Sequence, residues 1–117
     1  LVLIVTEPTV AGIHDLERLV ALVQHFSMIP AVCINKYDIN KEKTRAIETY
    51  CRDNNIPIVG KIPFDVAVVK AMVEKKTVME YPCPTIHHAM EDIWEGVQTS
   101  LTDSAKDSGT AHEQEGR

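Results

Sequence analysis

Leu1 to Val5 is an unbroken apolar run rich in branched side chains, the pattern of a short strand covered on both faces. It stops at Thr6-Glu7-Pro8-Thr9, where Pro8 has no N–H for a ladder. Beyond Gly12 the period changes. Ile13, Leu16, Leu19, Val20, Val23 and Phe26 recur every three to four positions, which predicts a helix from about Ile13 to Phe26 with those side chains inward. After Pro30 a second buried run, Ala31-Val32-Cys33-Ile34, gives way to the polar Asn35-Lys36-Tyr37-Asp38. Asn40 is placed to cap a second helix from about Lys41 to Asp53, with Ile47, Tyr50 and Cys51 inward. Asn54-Asn55 suits a left-handed exit from it.

A third short strand is expected over Pro57 to Lys61, running into Ile62-Pro63-Phe64-Asp65, with Asp65 as the cap of a helix from Val66 to Glu74. Pro84-Thr85 opens a last helix, Ile86 to about Leu101, with Ile86, Ala89, Met90, Ile93, Trp94 and Val97 expected inward. From Thr102 the chain turns to Ser, Thr, Asp, Glu and Gly with only two alanines. Such a stretch buries too little to offset its ordering entropy, so residues 102–117 are expected to be a disordered tail. No internal repeat at a fixed period is present. Strands alternating with helices of this length imply a parallel sheet flanked by helices on both faces. Residues 1–101 are therefore expected to form one doubly wound α/β unit or part of one, and a start inside a strand suggests part of one.

Composition refines this picture only modestly. With 117 residues, 44% apolar and 25% charged, the chain has the makeup of one globular domain. Aromatics are 5%, so the core must be built from Val, Ile, Leu, Ala and Met. The net charge of -5 argues against nucleic acid as a partner. Lys41, Lys43 and Arg45 read as a solvated helix face. Cys33, Cys51 and Cys83 form no CxxC pair, which fits reduced thiols and a cytoplasmic setting. No apolar run reaches the ~20 residues of a transmembrane segment.

In a parallel sheet the strands' C-terminal ends share one edge, and ligands bind there. The three strands predicted here end in Thr6-Glu7-Pro8-Thr9, Asn35-Lys36-Tyr37-Asp38 and Ile62-Pro63-Phe64-Asp65, which places all three segments on one rim. The opposite loops, Ser27 to Pro30 and Asn54-Asn55, look like plain connectors. Asn35 offers one acceptor and two donors to the edge of a purine. The stem of Lys36 can lie flat on a base, and Pro63 can close the other side. Asp38 can accept two hydrogen bonds from a guanine or can shape the turn into the next helix. Glu7 is placed to reach a ribose hydroxyl or a partner subunit, or is a loop carboxylate. His14 and Asp15 sit at a predicted helix start, and adjacent His87 and His88 point about 100° apart on a helix. None of these four is assigned a ligand role, and no nucleophilic triad emerges from spacing.

Taken together, Val5-Thr6-Glu7-Pro8-Thr9, Gly12-Ile13-His14-Asp15-Leu16, Cys33-Ile34-Asn35-Lys36-Tyr37-Asp38, Tyr50-Cys51 and Gly60-Lys61-Ile62-Pro63-Phe64-Asp65 resemble the MinD/ParA-like P-loop ATPases. The similarity runs from Val2 to about Val78 and is nearest to the subgroup with an inserted ferredoxin-type iron–sulfur domain. It implies that this chain is the C-terminal half of a P-loop NTPase domain, a Rossmann-like three-layer fold. It implies that Asn35 contacts adenine and that Ile62, Pro63, Phe64 and Asp65 line the base pocket. Asn35, Lys36, Asp38 and Ile62 to Asp65 are thus the candidate nucleotide-binding residues, with no catalytic and no metal-ligating residue. It further implies ATP with magnesium in the intact protein, an iron–sulfur cluster in an upstream part, a homodimer, and a redox or iron–sulfur partner protein. No GxxxxGK[ST] occurs in the sequence, so no hydrolysis is expected from these residues alone.

A complete Asn-Lys-x-Asp is also what guanine-specific proteins carry, so a GTPase half with GTP in place of ATP is an alternative. A non-catalytic interaction module, with the rim loops and exposed helices as its binding surface, is another. A sheet lacking central strands would also expose unpaired edges and apolar faces, so the isolated chain is expected to self-associate or to be marginally stable.

Overall fold

The computed structural model describes residues 1–77, 79–80 and 83–115, with side chains described only up to residue 102. Its elements are β1 (Val2–Thr6), α1 (Val10–His25), β2 (Pro30–Asn35), α2 (Lys41–Asp53), β3 (Ile58–Ile62), α3 (Val66–Val73) and α4 (Pro84–Glu115). The three strands form one sheet in the order β1-β2-β3. Both pairings are parallel, from Val2↔Pro30 to Thr6↔Ile34 and from Val32↔Ile58 to Asn35↔Ile62. A small α/β unit with a three-strand parallel sheet and flanking helices is therefore established. Many α/β families share that arrangement.

Capping explains where the helices begin. Thr9, Asn40 and Asp65 have extended backbones, and their side chains accept from the N–H of Gly12, Lys43 and Ala67 respectively. Thr9 rather than Gly12 starts α1, so this helix begins three residues before the apolar period does. Gly12 lies inside it, at a position where a Cβ would stand 2.2 Å from the Glu7 carbonyl oxygen. As a result Asp15 is in the second turn, away from the helix end, and pairs with Arg18 at 2.6 Å.

The first three helices end without glycine. Ser27, Asn55 and Lys75 have φ of 57°, 55° and 58°. The next residue's N–H returns to an earlier carbonyl in each case: Met28 to Val23, Ile56 to Cys51 and Lys76 to Ala71. This is the Schellman closure. The left-handed exit expected at Asn54-Asn55 is present, and the same closure at Ser27 and Lys75 carries no comparable signal in the sequence.

One sheet face holds the main core. Ile4, Val32 and Ile34 pack there against Leu16, Val20 and Val23 of α1, Ile47 and Cys51 of α2, and Ile56. On the other face α4 lies along β3 through Ile86, Ala89 and Ile93, which are all buried. The approach is close because two glycines meet it. A Cβ on Gly60 would be 2.3 Å from Ile93 Cγ1, and one on Gly96 would be 2.7 Å from the Val59 carbonyl oxygen.

Several inward assignments are corrected. Trp94 is 62% exposed, and Leu19 of α1 and Phe26 just after it are exposed as well. The apolar stripe on α4 is narrower than its composition suggests, because the glycine contact seats the helix on the Ile93 and Gly96 side. β1 is covered on one face only: Ile4 is buried while Leu3 and Val5 are exposed. The covering helix α4 packs mainly over β3 and less over β2, and a cavity separates its Ile86, Met90 and Ile93 from Leu3 and Val5 of β1.

The helical backbone of α4 continues to Glu115, beyond the Leu101 boundary set by the apolar pattern. The tail expected over 102–117 has its side chains from 103 onward, and all of Gly116 and Arg117, outside the described residues. Among the described residues no helix is long and apolar enough to cross a membrane.

Candidate functional site

The three strand ends do share one rim, since β1, β2 and β3 are parallel and adjacent. Between the loops after β2 and β3 lies a cavity of about 300 Å³ lined by Asn35, Lys36, Ile62, Pro63, Phe64, Asp65, Val68, Val69 and Met72. Six of the seven candidate residues therefore border one space. Asp38 does not. The volume is at the lower end for small-molecule sites.

Each polar group there has a definite place. Asn35 is the last residue of β2 and pairs in register with Ile62, the last of β3. Among the described residues its side-chain carboxamide has no hydrogen-bond partner, leaving one acceptor and two donors at the cavity mouth. Lys36 has a left-handed backbone, φ 54°, a conformation that costs a side-chain-bearing residue about 1–2 kcal/mol. Among the described residues it is the one such residue that does not follow a helix end, and it turns the chain sharply after Asn35. Its ammonium lies 3.5 Å from a Glu7 carboxylate oxygen, which joins the rim loops after β1 and β2. Both groups are half-exposed, so the pair orients the Lys36 stem more than it stabilises the fold.

The two aspartates are engaged with the protein itself. Asp38 Oδ1 accepts the backbone N–H of Phe64 at 2.8 Å. Asp65 Oδ1 accepts the N–H of Ala67 at 2.8 Å as the cap of α3, and its Oδ2 accepts from Cys83 Sγ at 3.4 Å. The structural role weighed for Asp65 is thus present, together with a tie to the start of α4 through Cys83.

Sequence reasoning missed three kinds of residue here. Val68, Val69 and Met72 form the third wall of the cavity. The available signal was that Val66–Val73 is apolar on nearly every side in a helix too short to be a core element. Thr44 on α2 is buried and donates to the Tyr37 carbonyl at 2.6 Å, holding the turn between Asn35 and Asp38. Nothing in its neighbourhood announces that role. Cys83 is buried, and its contact with Asp65 spans a separation of 18 residues.

No protein family, curated protein or solved structure matches the chain. The site's chemistry therefore rests on the residues alone. Its polar complement is a carboxamide and an ammonium. Its walls are proline, phenylalanine and aliphatic side chains, and its one bordering carboxylate, Asp65, is turned to a backbone N–H and a thiol. Such a site suits a flat, uncharged, hydrogen-bonding ring better than a cation. Among the described residues no group of three or more His, Cys, Asp or Glu is arranged to hold a metal. His87 and His88 line a separate shallow space with Cys83, Pro84 and Glu91.

The other two cysteines are buried in the sheet and in α2. Burial pushes the Cys33 thiol up to about 11. Burial, with the nearby Glu48 charge, does the same to Cys51. Neither is suited to nucleophilic or ligand chemistry at neutral pH, where the reactive form is the thiolate.

Proposed function

We propose that this chain forms the base-binding side of a nucleotide site of the MinD/ParA-like kind that its sequence resembles, with the adenine ring held between the loops after β2 and β3. The observation that carries this reading is Asn35: a carboxamide without a hydrogen-bond partner among the described residues, at the end of a buried strand, beside a cavity of about 300 Å³. In this reading the carboxamide bonds the base edge and the Lys36 stem lies along one face. Pro63 and Phe64 close the other, and Val68, Val69 and Met72 supply an apolar third wall. ATP is favoured over GTP because Asp38, the residue a guanine reader would use, is outside the cavity and bonded to Phe64 N.

The 117 residues contain no GxxxxGK[ST] segment, so base recognition is assigned to them and phosphate chemistry is not. Magnesium, an iron–sulfur cluster, a homodimer and a redox partner follow from the resemblance alone, and no residue of this chain is assigned to them. Photolabelling with 2-azidoadenosine triphosphate tests the reading. Label is expected in peptides containing residues 35–38 or 62–72 and is expected to fall when unmodified ATP competes. Label confined to other peptides, or label that ATP does not displace, would exclude it.

A second reading has its own observation. Phe64, Val66, Val69, Met72 and Val73 are all exposed and lie on one short stretch beside the cavity, as a protein-contact surface would. Loss of self-association or partner capture in Met72→Asp, with photolabelling unchanged, would support that reading.

A further inference from the structure

We propose that Asp38 is a positioning residue that fixes the outer wall of the cavity by tying the loop after β3 to the loop after β2, and that it does not read the base. This rests on the base-site reading, which it deepens by assigning the Asp of Asn-Lys-x-Asp a role that residue pattern alone leaves open.

The β2–β3 ladder ends at Asn35↔Ile62. One further backbone bond, from Tyr37 N–H to the Ile62 carbonyl at 3.1 Å, carries the pairing just past the strands. Pro63 then has no N–H to offer. The next backbone donor able to hold the loop to its neighbour is Phe64's, and Asp38 Oδ1 takes it at 2.8 Å across a separation of 26 residues. Among the described residues it is the one hydrogen bond that ties Phe64 to the loop bearing Asn35.

The Asp38 side of the tie is itself held. The left-handed backbone at Lys36 reverses the chain, and Ile39 N–H closes the turn on the Lys36 carbonyl at 3.1 Å. Thr44 Oγ1 donates to the Tyr37 carbonyl at 2.6 Å from the buried face of α2. Asp38 therefore projects from a braced turn toward Phe64, while the cavity is bordered by Asn35 and Lys36 from the same loop. A guanine reader must present both carboxylate oxygens to the ligand, whereas a tie needs one acceptor.

That difference makes the test. Asp38→Asn keeps a carbonyl oxygen for Phe64 N–H but cannot offer two acceptors, and Asp38→Ala removes both. The first readout is hydrogen exchange at the Phe64 amide without ligand. Protection is expected in the wild type and in Asp38→Asn, with exchange faster by about tenfold or more in Asp38→Ala, the loss of one charge-assisted hydrogen bond. The second readout is adenosine and guanosine titration followed by amide shifts at Ala67 and Val68. Adenosine affinity is expected to survive Asp38→Asn and to fall by about tenfold or more in Asp38→Ala.

Equal Phe64 exchange in the wild type and Asp38→Ala would overturn the tie. Guanosine binding that Asp38→Asn abolishes, with Phe64 still protected, would make Asp38 a base reader and overturn the proposal. A wild type that binds neither nucleoside sinks the base-site reading, and the Phe64 exchange then decides the tie by itself.

Discussion

Replacing Gly96 by Ala separates the seating of α4 from simple helix propensity. In the open interior of a helix, Gly to Ala is worth about 0.8–1 kcal/mol of added stability. At Gly96 the new Cβ would stand 2.7 Å from the Val59 carbonyl oxygen, 2.8 Å from its Cβ and 3.1 Å from its Cα. Carbonyl and Cα belong to the backbone of β3, so no rotamer change relieves the overlap. The helix must lift instead, loosening the adjoining contact of Ile93 with Gly60. Overpacking of this kind costs about 1–3 kcal/mol. Set against the propensity gain, a net loss of about 1 kcal/mol is expected, or a Tm lower by roughly 4–8 °C.

Urea unfolding followed by circular dichroism measures it, with Thr99→Ala as the control. Thr99 is exposed on the same helix and should gain a few tenths of a kcal/mol from propensity, about half a kcal/mol at most. If Gly96→Ala is as stable as the wild type or more so while Thr99→Ala gains, α4 is not seated on Val59 and the second layer is wrongly placed.

Other expectations follow from single contacts. Lys75→Gly should raise stability by up to about 1 kcal/mol in urea melts, because it relieves a left-handed residue that closes α3. Thr44→Val should cost about 1–2 kcal/mol by leaving the Tyr37 carbonyl without its donor, and the amide shifts of residues 36–39 should move with it. Cys33 and Cys51 should resist a thiol reagent at pH 8 in the native state and react on unfolding. Their thiols are raised to about 11 in the fold against an ordinary 9.0, so the unfolded chain loses those protons first. Their contribution is complete below about pH 9 and disappears as the pH rises toward 11; unfolding midpoints flat across that window would contradict it.

How much of this was legible in the sequence depends on whether the signal was local. Asn40 and Asp65 announced their helices because a cap is a bond between residues two or three apart. The rim was legible because strand-helix alternation forces parallel strands, and parallel strands align their C-terminal ends. What periodicity could not supply was depth. Trp94 and Phe26 sit at apolar-stripe spacing yet face solvent, because coverage depends on where a neighbouring layer lands. Two glycines set that landing for α4, and in sequence they look like weak points in a helix and a strand.

The same limit applies at the site. Asn35, Lys36 and the Ile62 to Asp65 loop could be gathered from topology. The bond that holds Asp38 spans 26 residues, and the third wall comes from a helix so uniformly apolar that its pattern names no facing surface. The two-sided cover expected for β1 failed for a related reason: an apolar run records what a strand tolerates, and whether a helix reaches it is settled elsewhere.

The most direct test of the central claim is an amide-shift titration of the wild-type chain and Asn35→Ala with adenosine and with guanosine. A base site between the two loops predicts saturable shifts confined to residues 35–38 and 62–72, stronger for adenosine and lost in Asn35→Ala. Shifts that leave those residues untouched, or a response that survives removal of the Asn35 carboxamide, would contradict it.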